Sequence, residues 1–130
     1  MFSSKVVSIF SIVILILVFI FWKLFLQGIE QLVQKDIDSG SKVVLLFSAD
    51  WCSTCKEQEP IYEEVKTAFK DIHFYEVASK MNRVQQKLLF KQYKIHGIPT
   101  FILFKNGEEV ARFSGLQTKE ALKEKFSLLN

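Results

Sequence analysis

Cys52 and Cys55 stand three positions apart in Cys52-Ser53-Thr54-Cys55, and the 130-residue chain has no other cysteine. A thiol is a nucleophile only as thiolate, and a helix amino terminus stabilises that anion with partial positive charge and free N–H donors. An apolar run of strand character ends just before Cys52, and helical periodicity starts with it, so the first thiol falls at such a terminus. Cys55, one turn later on the same face, can close a small disulfide ring and resolve a mixed disulfide. Other uses of the pair fit less well. A structural zinc site needs about four ligands, and His73 and His96 sit at spacings unlike a finger, so no metal is expected. Haem attachment wants His directly after the second Cys, where Lys56 stands. A purely structural bridge would close too short a loop to remove much chain entropy.

The elements that must position this pair follow from periodicity. Residues 27–38 place Ile29, Leu32, Val33 and Ile37 on one helical stripe, stopped by Ser39-Gly40-Ser41. Val43 to Phe47 is apolar and of strand length, the mark of a central strand buried on both faces. The helix from Cys52 to about Phe69 has Ile61, Val65, Ala68 and Phe69 as its inner face, and Pro60 is expected to kink it. A strand over Ile72–Val77 precedes a helix over Asn82–Tyr93 carrying Val84, Leu88 and Leu89. Thr100–Phe104 and Glu109–Ser114 form a hairpin about the Asn106-Gly107 turn, and Thr118 caps a last helix to about Leu128. Alternating helices and strands make this an α/β chain.

Composition divides it further. The first 26 residues hold five of the thirteen Phe and only two charges, Lys5 and Lys23, leaving 15 Lys+Arg against 14 Asp+Glu in the remainder. That near-neutral remainder gives no basic patch, so no nucleic acid partner is expected. Val6 to Trp22 carries no charge, Gly or Pro over 17 residues. As a helix it reaches about 25 Å, near the lower limit for a bilayer core of about 30 Å, and snorkelling of Lys23 lets Leu24, Phe25 and Leu26 lengthen it. Trp22 suits an interfacial anchor. A cleaved signal peptide would need a small-x-small site, and none follows the run. The expectation is therefore a membrane anchor over 1–26, engaging the bilayer through residues 6–26. Residues 27–42 are then an amphipathic helix and linker, and 43–130 the domain. Lys5 favours a cytoplasmic amino terminus, whereas Lys23, Lys35 and Lys42 oppose it, so charge leaves the topology open.

Residues 44–56, Pro60, Gly97-Ile98-Pro99-Thr100-Phe101 and Phe104-Lys105-Asn106-Gly107-Glu108 together resemble thioredoxin over roughly residues 43–130. The Ala49-Asp50-Trp51-Cys52 approach, Lys56 and Glu59 are also similar to the periplasmic C-terminal domain of the thiol:disulfide interchange protein DsbD. The resemblance implies a thioredoxin fold, a central mixed β-sheet flanked by helices, here preceded by one transmembrane helix. It implies Cys52 as attacking thiol, Cys55 as buried resolving thiol, and Pro99 as a cis-proline facing the disulfide. Ile98 and Thr100 would bind an extended substrate segment, with Trp51 as a flat apolar shoulder; ordinary packing is the other reading of Trp51. No cofactor is called for.

Two departures stand out. The buried aspartate that thioredoxins carry six residues before the first Cys is Leu46 here. A carboxylate assisting Cys55 would then come from elsewhere: Glu59, one turn after Cys55, or Glu76 in the second strand. The other reading of Glu59 is one more solvated acid in Glu57-Gln58-Glu59, and His96, Lys56 and Lys105 read as solvated surface groups. Ser53-Thr54 replaces Gly-Pro between the cysteines, which leaves the redox direction open. The family's usual first strand has little room and is expected to be short or missing.

These features together predict a membrane-tethered reductase of disulfide-containing proteins outside the cytoplasm, recycled by a membrane or soluble thiol partner. The expected location is the bacterial inner membrane with the domain in the periplasm, or else the endoplasmic reticulum membrane with a luminal domain. A thiol oxidase or isomerase, and a tethered interaction module without catalysis, are the alternatives.

Overall fold

The computed structural model describes residues 4–25, 28–77 and 83–130, with side chains for 9–22 in the first stretch. The chain divides into two units, Met1–Leu32 and Val33–Asn130. In the first, helix α1 (Ser4–Phe25) has solvent-exposed apolar side chains from Ile9 through Trp22. Among the described residues no helix is long and apolar enough to cross a membrane, so the expected span over 6–26 is not established. The side chains of Lys5, Lys23, Leu24 and Phe25, like residues Leu26, Gln27 and Asn82, lie outside the described residues.

The second unit is built on β1 (Val43–Phe47), every residue of which is buried. It pairs in parallel with β2 (His73–Val77) and antiparallel with β3 (Thr100–Lys105), and β3 pairs antiparallel with β4 (Glu108–Ser114). The order β2-β1-β3-β4 makes a mixed four-stranded sheet with β1 inside, and among the described residues no strand precedes β1. The β3–β4 hairpin turns on Asn106 (φ +54°) and Gly107 (φ +83°), the left-handed pair that a tight primed turn requires.

Strand alternation sends the side chains of β1 to two cores. Val44 and Leu46 point with Phe101 and Leu103 to the face covered by α3 (Ser53–Lys66) and α5 (Lys119–Ser127), where Tyr62, Val65, Leu122 and Phe126 are buried. Phe47 points the other way, onto Phe90 and Tyr93 at ring-centroid distances of 5.4 and 5.6 Å, which seats α4 (Arg83–Gln92) on the second face. Truncating a buried Leu such as Leu103 in this sheet costs about 2–5 kcal/mol.

Helix α2 (Ile29–Asp38) buries Val33 and Ile37, as its stripe predicts, but leaves Leu32 exposed. Asp36 fastens it to the sheet edge: its carboxylate accepts from the Tyr75 hydroxyl at 2.5 Å and meets the His73 ring. Helix α3 runs through Pro60 without interruption. It closes at Lys66, after which Thr67, Ala68 and Phe69 donate to carbonyls three residues back. Its inner face is Cys55, Gln58, Tyr62 and Val65, with Ile61 and Phe69 only partly buried. Helix α4 departs furthest from expectation: Leu89 is buried, whereas Val84 and Leu88 face solvent.

The Tyr75 hydroxyl, then the His73 ring, hold the Asp36 carboxyl below its ordinary value of 3.8, and burial followed by Asp36 pushes the Tyr75 hydroxyl up to about 12. A carboxylate depressed in the folded state adds stability above its unfolded pKa and loses it as pH falls through the folded one. Asp36→Asn is therefore expected to be less stable than the parent near neutrality, with the difference shrinking below about pH 4. Urea midpoints measured across that range check this; a constant gap at all pH values would refute the assignment.

Candidate active site at the amino end of helix α3

Cys52 is the N-cap residue of α3, in extended conformation (φ −89°, ψ 109°), and its sulfur accepts the Cys55 N–H at 3.2 Å. The chain reaches this point because β1 ends at Phe47 and a short turn over Ser48–Trp51 returns the Cys52 N–H to the Ala49 carbonyl at 3.0 Å. A sulfur in this position faces the unsatisfied N–H groups and positive end of the helix, the environment that favours thiolate over thiol. Cys52 and Cys55 form a disulfide with a Cα–Cα distance of 5.2 Å, and both are buried, at 8% and 6% exposure. The pair is thus closed off from general solvent yet lies at the rim of the unit beside Trp51, which is 82% exposed.

A second chain segment faces the pair. The Ile98–Pro99 peptide bond is cis, and the Ile98 carbonyl oxygen lies 4.0 Å from the Cys52 sulfur. Three hydrogen bonds hold this segment in place: Gly115 N–H to the Pro99 carbonyl at 2.8 Å, Thr100 Oγ1 to the Gly97 carbonyl at 2.7 Å, and a Thr100–Ser114 hydroxyl pair at 2.6 Å. Thr100 is buried, so its hydroxyl fastens the loop internally, while the half-buried Ile98 is the residue of this segment that borders the cysteines.

Beneath Cys55 a cleft of about 270 Å³ is lined by Leu46, Ser48, Lys56, Glu59, Glu76 and Pro99, among others. Leu46 and Glu76 are register partners on β1 and β2, so both side chains point to the α3 face. Glu76 is half-buried and accepts from the buried Ser48 hydroxyl at 2.8 Å; Glu59 is exposed at the mouth of the same cleft. The carboxylate absent from position 46 has a counterpart one strand over. Lys56 and His96 are exposed, and Lys105 donates to the Asn130 carbonyl at 2.7 Å. Among the described residues no cluster of His, Cys, Asp and Glu could hold a metal ion.

The site belongs to a recognisable family, since residues 26–127 match the thioredoxin model. The chain is a member of the thioredoxin family. Thioredoxin H5 of Oryza sativa subsp. japonica is 35% identical over 78% of this chain and 71% of its own length. The thioredoxin of Rickettsia bellii is 36% identical over 68% of this chain and 82% of its own length. Among solved structures, oxidised thioredoxin O2 of Arabidopsis thaliana aligns with a TM-score of 0.68 at 23% identity over 77% of this chain and 84% of its own, a likeness of fold. With its cysteine pair at disulfide distance, this thioredoxin-family chain is a thiol-disulfide oxidoreductase.

Two members of the site escape sequence reasoning. Gln58 is fully buried and bridges α3 to the chain between β4 and α5: Gln117 N–H donates to its Oε1 at 2.7 Å, and its Nε2 donates to the Gln117 carbonyl at 3.3 Å. Tyr62 is 1% exposed in the core that α3 covers, packed with Leu46 and Phe101, and burial raises its hydroxyl pKa. Their spacing from Cys55, three and seven residues, was the available signal, hidden by polar side chains. Gln58→Leu is expected to lower stability by about 1–3 kcal/mol, because it leaves the Gln117 N–H without its partner. Urea unfolding of the oxidised protein measures this, and an unchanged midpoint would refute the bridging role.

Proposed function

We propose that this chain is a membrane-tethered protein-disulfide reductase working outside the cytoplasm. The observation that carries the chemistry is the Cys52 sulfur held as the N-cap of α3, 4.0 Å from the carbonyl that precedes the cis-proline. In the reduced form the Cys52 thiolate attacks one sulfur of a substrate disulfide; a Cys52–substrate disulfide forms and the other substrate sulfur leaves as thiolate. Cys55, deprotonated, then attacks Cys52, releasing the second substrate thiolate and forming the Cys52–Cys55 disulfide. Two electrons pass to the substrate, and a membrane or soluble dithiol partner returns them by the reverse exchange.

Ile98 borders the substrate segment, Thr100 holds that loop from the buried side through Gly97 and Ser114, Pro99 shapes the approach, and Trp51 supplies an exposed apolar shoulder beside the attacking sulfur. The Cys55 proton goes to the cleft carboxylates. Glu76 is the nearer to a fixed acceptor, half-buried and hydrogen-bonded to Ser48, and Glu59 at the mouth passes the proton to water. The two substrate thiolates take up one proton equivalent released by Cys55 through these carboxylates and a second from solvent, which received the Cys52 proton when its thiolate formed.

Support for the tether is the uncharged apolar run from Val6 to Trp22 and the exposed apolar side chains of α1. The likeness of Ala49-Asp50-Trp51-Cys52, Lys56 and Glu59 to the C-terminal domain of DsbD supports an extracytoplasmic position, with the bacterial inner membrane and periplasm preferred over the endoplasmic reticulum. Protease accessibility of the 43–130 region in sealed vesicles tests the placement, and protection from externally added protease in right-side-out vesicles would overturn it. Ser53-Thr54 between the cysteines is the feature that favours asking about an oxidase. A reduction potential near about −270 mV supports the reductase, and one near about −120 mV the oxidant.

Cys55→Ser is expected to trap mixed disulfides through Cys52 in extracts, and recovery of none beside a working thioredoxin control would refute the mechanism. Glu76→Gln is expected to slow resolution of a preformed Cys52 mixed disulfide by about a hundredfold near neutral pH, with Glu59→Gln slowing it less. The reverse ranking would give the proton to Glu59.

A further inference from the structure

Val84 and Leu88, which periodicity assigns to the core, are 65% and 54% exposed, and they lie on the side of the unit that carries Trp51. Trp51, Arg83, Gln86, Lys87 and Phe90 line one groove of about 180 Å³, while Arg83, Val84, Lys87, Leu88 and Lys91 line another of about 520 Å³. Arg83 and Lys87 belong to both, so the two join into one trough running from the residue next to Cys52 along the outside of α4. Every charged residue lining these two grooves is basic, and the one acidic group near their Trp51 end is Asp50, which lines an adjoining pocket of about 690 Å³ with Trp51, Arg83 and Gln86. Arg83, Lys87 and Lys91 recur every four residues on a helix that has no Asp or Glu, and none of the three is in an ion pair among the described residues.

We propose that this trough binds an acidic segment of the substrate protein next to its disulfide, with carboxylates on Arg83, Lys87 and Lys91 and an apolar side chain against Val84 and Leu88. The proposal rests on the reading of the chain as a disulfide exchanger. A merely solvated helix face would have no use for two large apolar side chains between its cations. A second copy of the chain would set these cations against their own images. An anionic membrane surface would match the charge, but it would also cover Trp51 and block the sulfur beside it. A substrate segment satisfies both ends of the trough, because the molecule that fills it is the one whose disulfide must reach Cys52. Charge pairing of this kind raises encounter rate and sets specificity, and is screened by salt.

The test uses the full chain in detergent and two peptides with the same disulfide, one flanked by Glu and Leu, the other by Lys and Leu. At low ionic strength the acidic peptide is expected to be reduced about five to ten times faster in kcat/KM, and at about 0.3 M salt the preference is expected to collapse. Lys87→Glu with Lys91→Glu is expected to reverse it, and Val84→Ser with Leu88→Ser to raise KM for the acidic peptide with kcat unchanged. Equal rates for the two peptides, or a preference unmoved by the charge reversal, would overturn the proposal. So would binding of anionic vesicles through Lys87 and Lys91 that excludes the peptide. A small aromatic disulfide, too short to reach α4, is reduced equally by all these variants if the exchange chemistry holds, so its failure would implicate that chemistry and not the trough.

Discussion

The Cys55 N–H that points at the Cys52 sulfur ties together most of what is distinctive in this unit. That contact exists only if α3 begins at residue 53, which in turn requires β1 to stop at Phe47 and the chain to turn within four residues. The turn is fixed because β1 is buried on both faces and cannot slide in register without moving five apolar side chains into the wrong core. The sheet therefore does more than support the helix. It sets the residue at which the helix starts, and with it which sulfur receives the field of the helix end.

The replacement of a carboxylate by Leu46 shows how tightly position and neighbourhood are coupled. Leu46 packs into the core with Tyr62 and Phe101, and an ionised group there would need a partner in a low-dielectric setting. Glu76, its register partner on β2, keeps its carboxylate on the same face but at the cleft, where Ser48 donates to it. The same functional group is thus reached from the neighbouring strand, at a place where it stays partly hydrated.

Much of this was legible in the sequence. The run of apolar residues over Val43–Phe47, the Asn106-Gly107 turn and the Thr118 cap each fix an element through a local rule, and all three elements stand where those rules put them. The Cys-x-x-Cys pair with Ile98-Pro99 some 45 residues later was legible as a motif, and the fold brings the two segments face to face. Helix α4 was not legible in full. Val84, Leu88 and Leu89 satisfy the same periodicity, and only the stacking of Phe90 and Tyr93 on Phe47 decides that Leu89 turns inward while the other two turn out. Gln58 and Tyr62 were missed for the opposite reason: polar atoms disguise positions whose burial is set by packing across α3 and α5.

The sheet ends at β2, and among the described residues nothing pairs with the outer row of its backbone groups. An open row of N–H and C=O groups is a template on which another extended chain can add itself. Here the row is only five residues long, and it carries His73 and Glu76, one of them fastened to Asp36. A short, charge-bearing margin of this kind discourages strand addition, so the sheet can end at β2 without inviting a further strand.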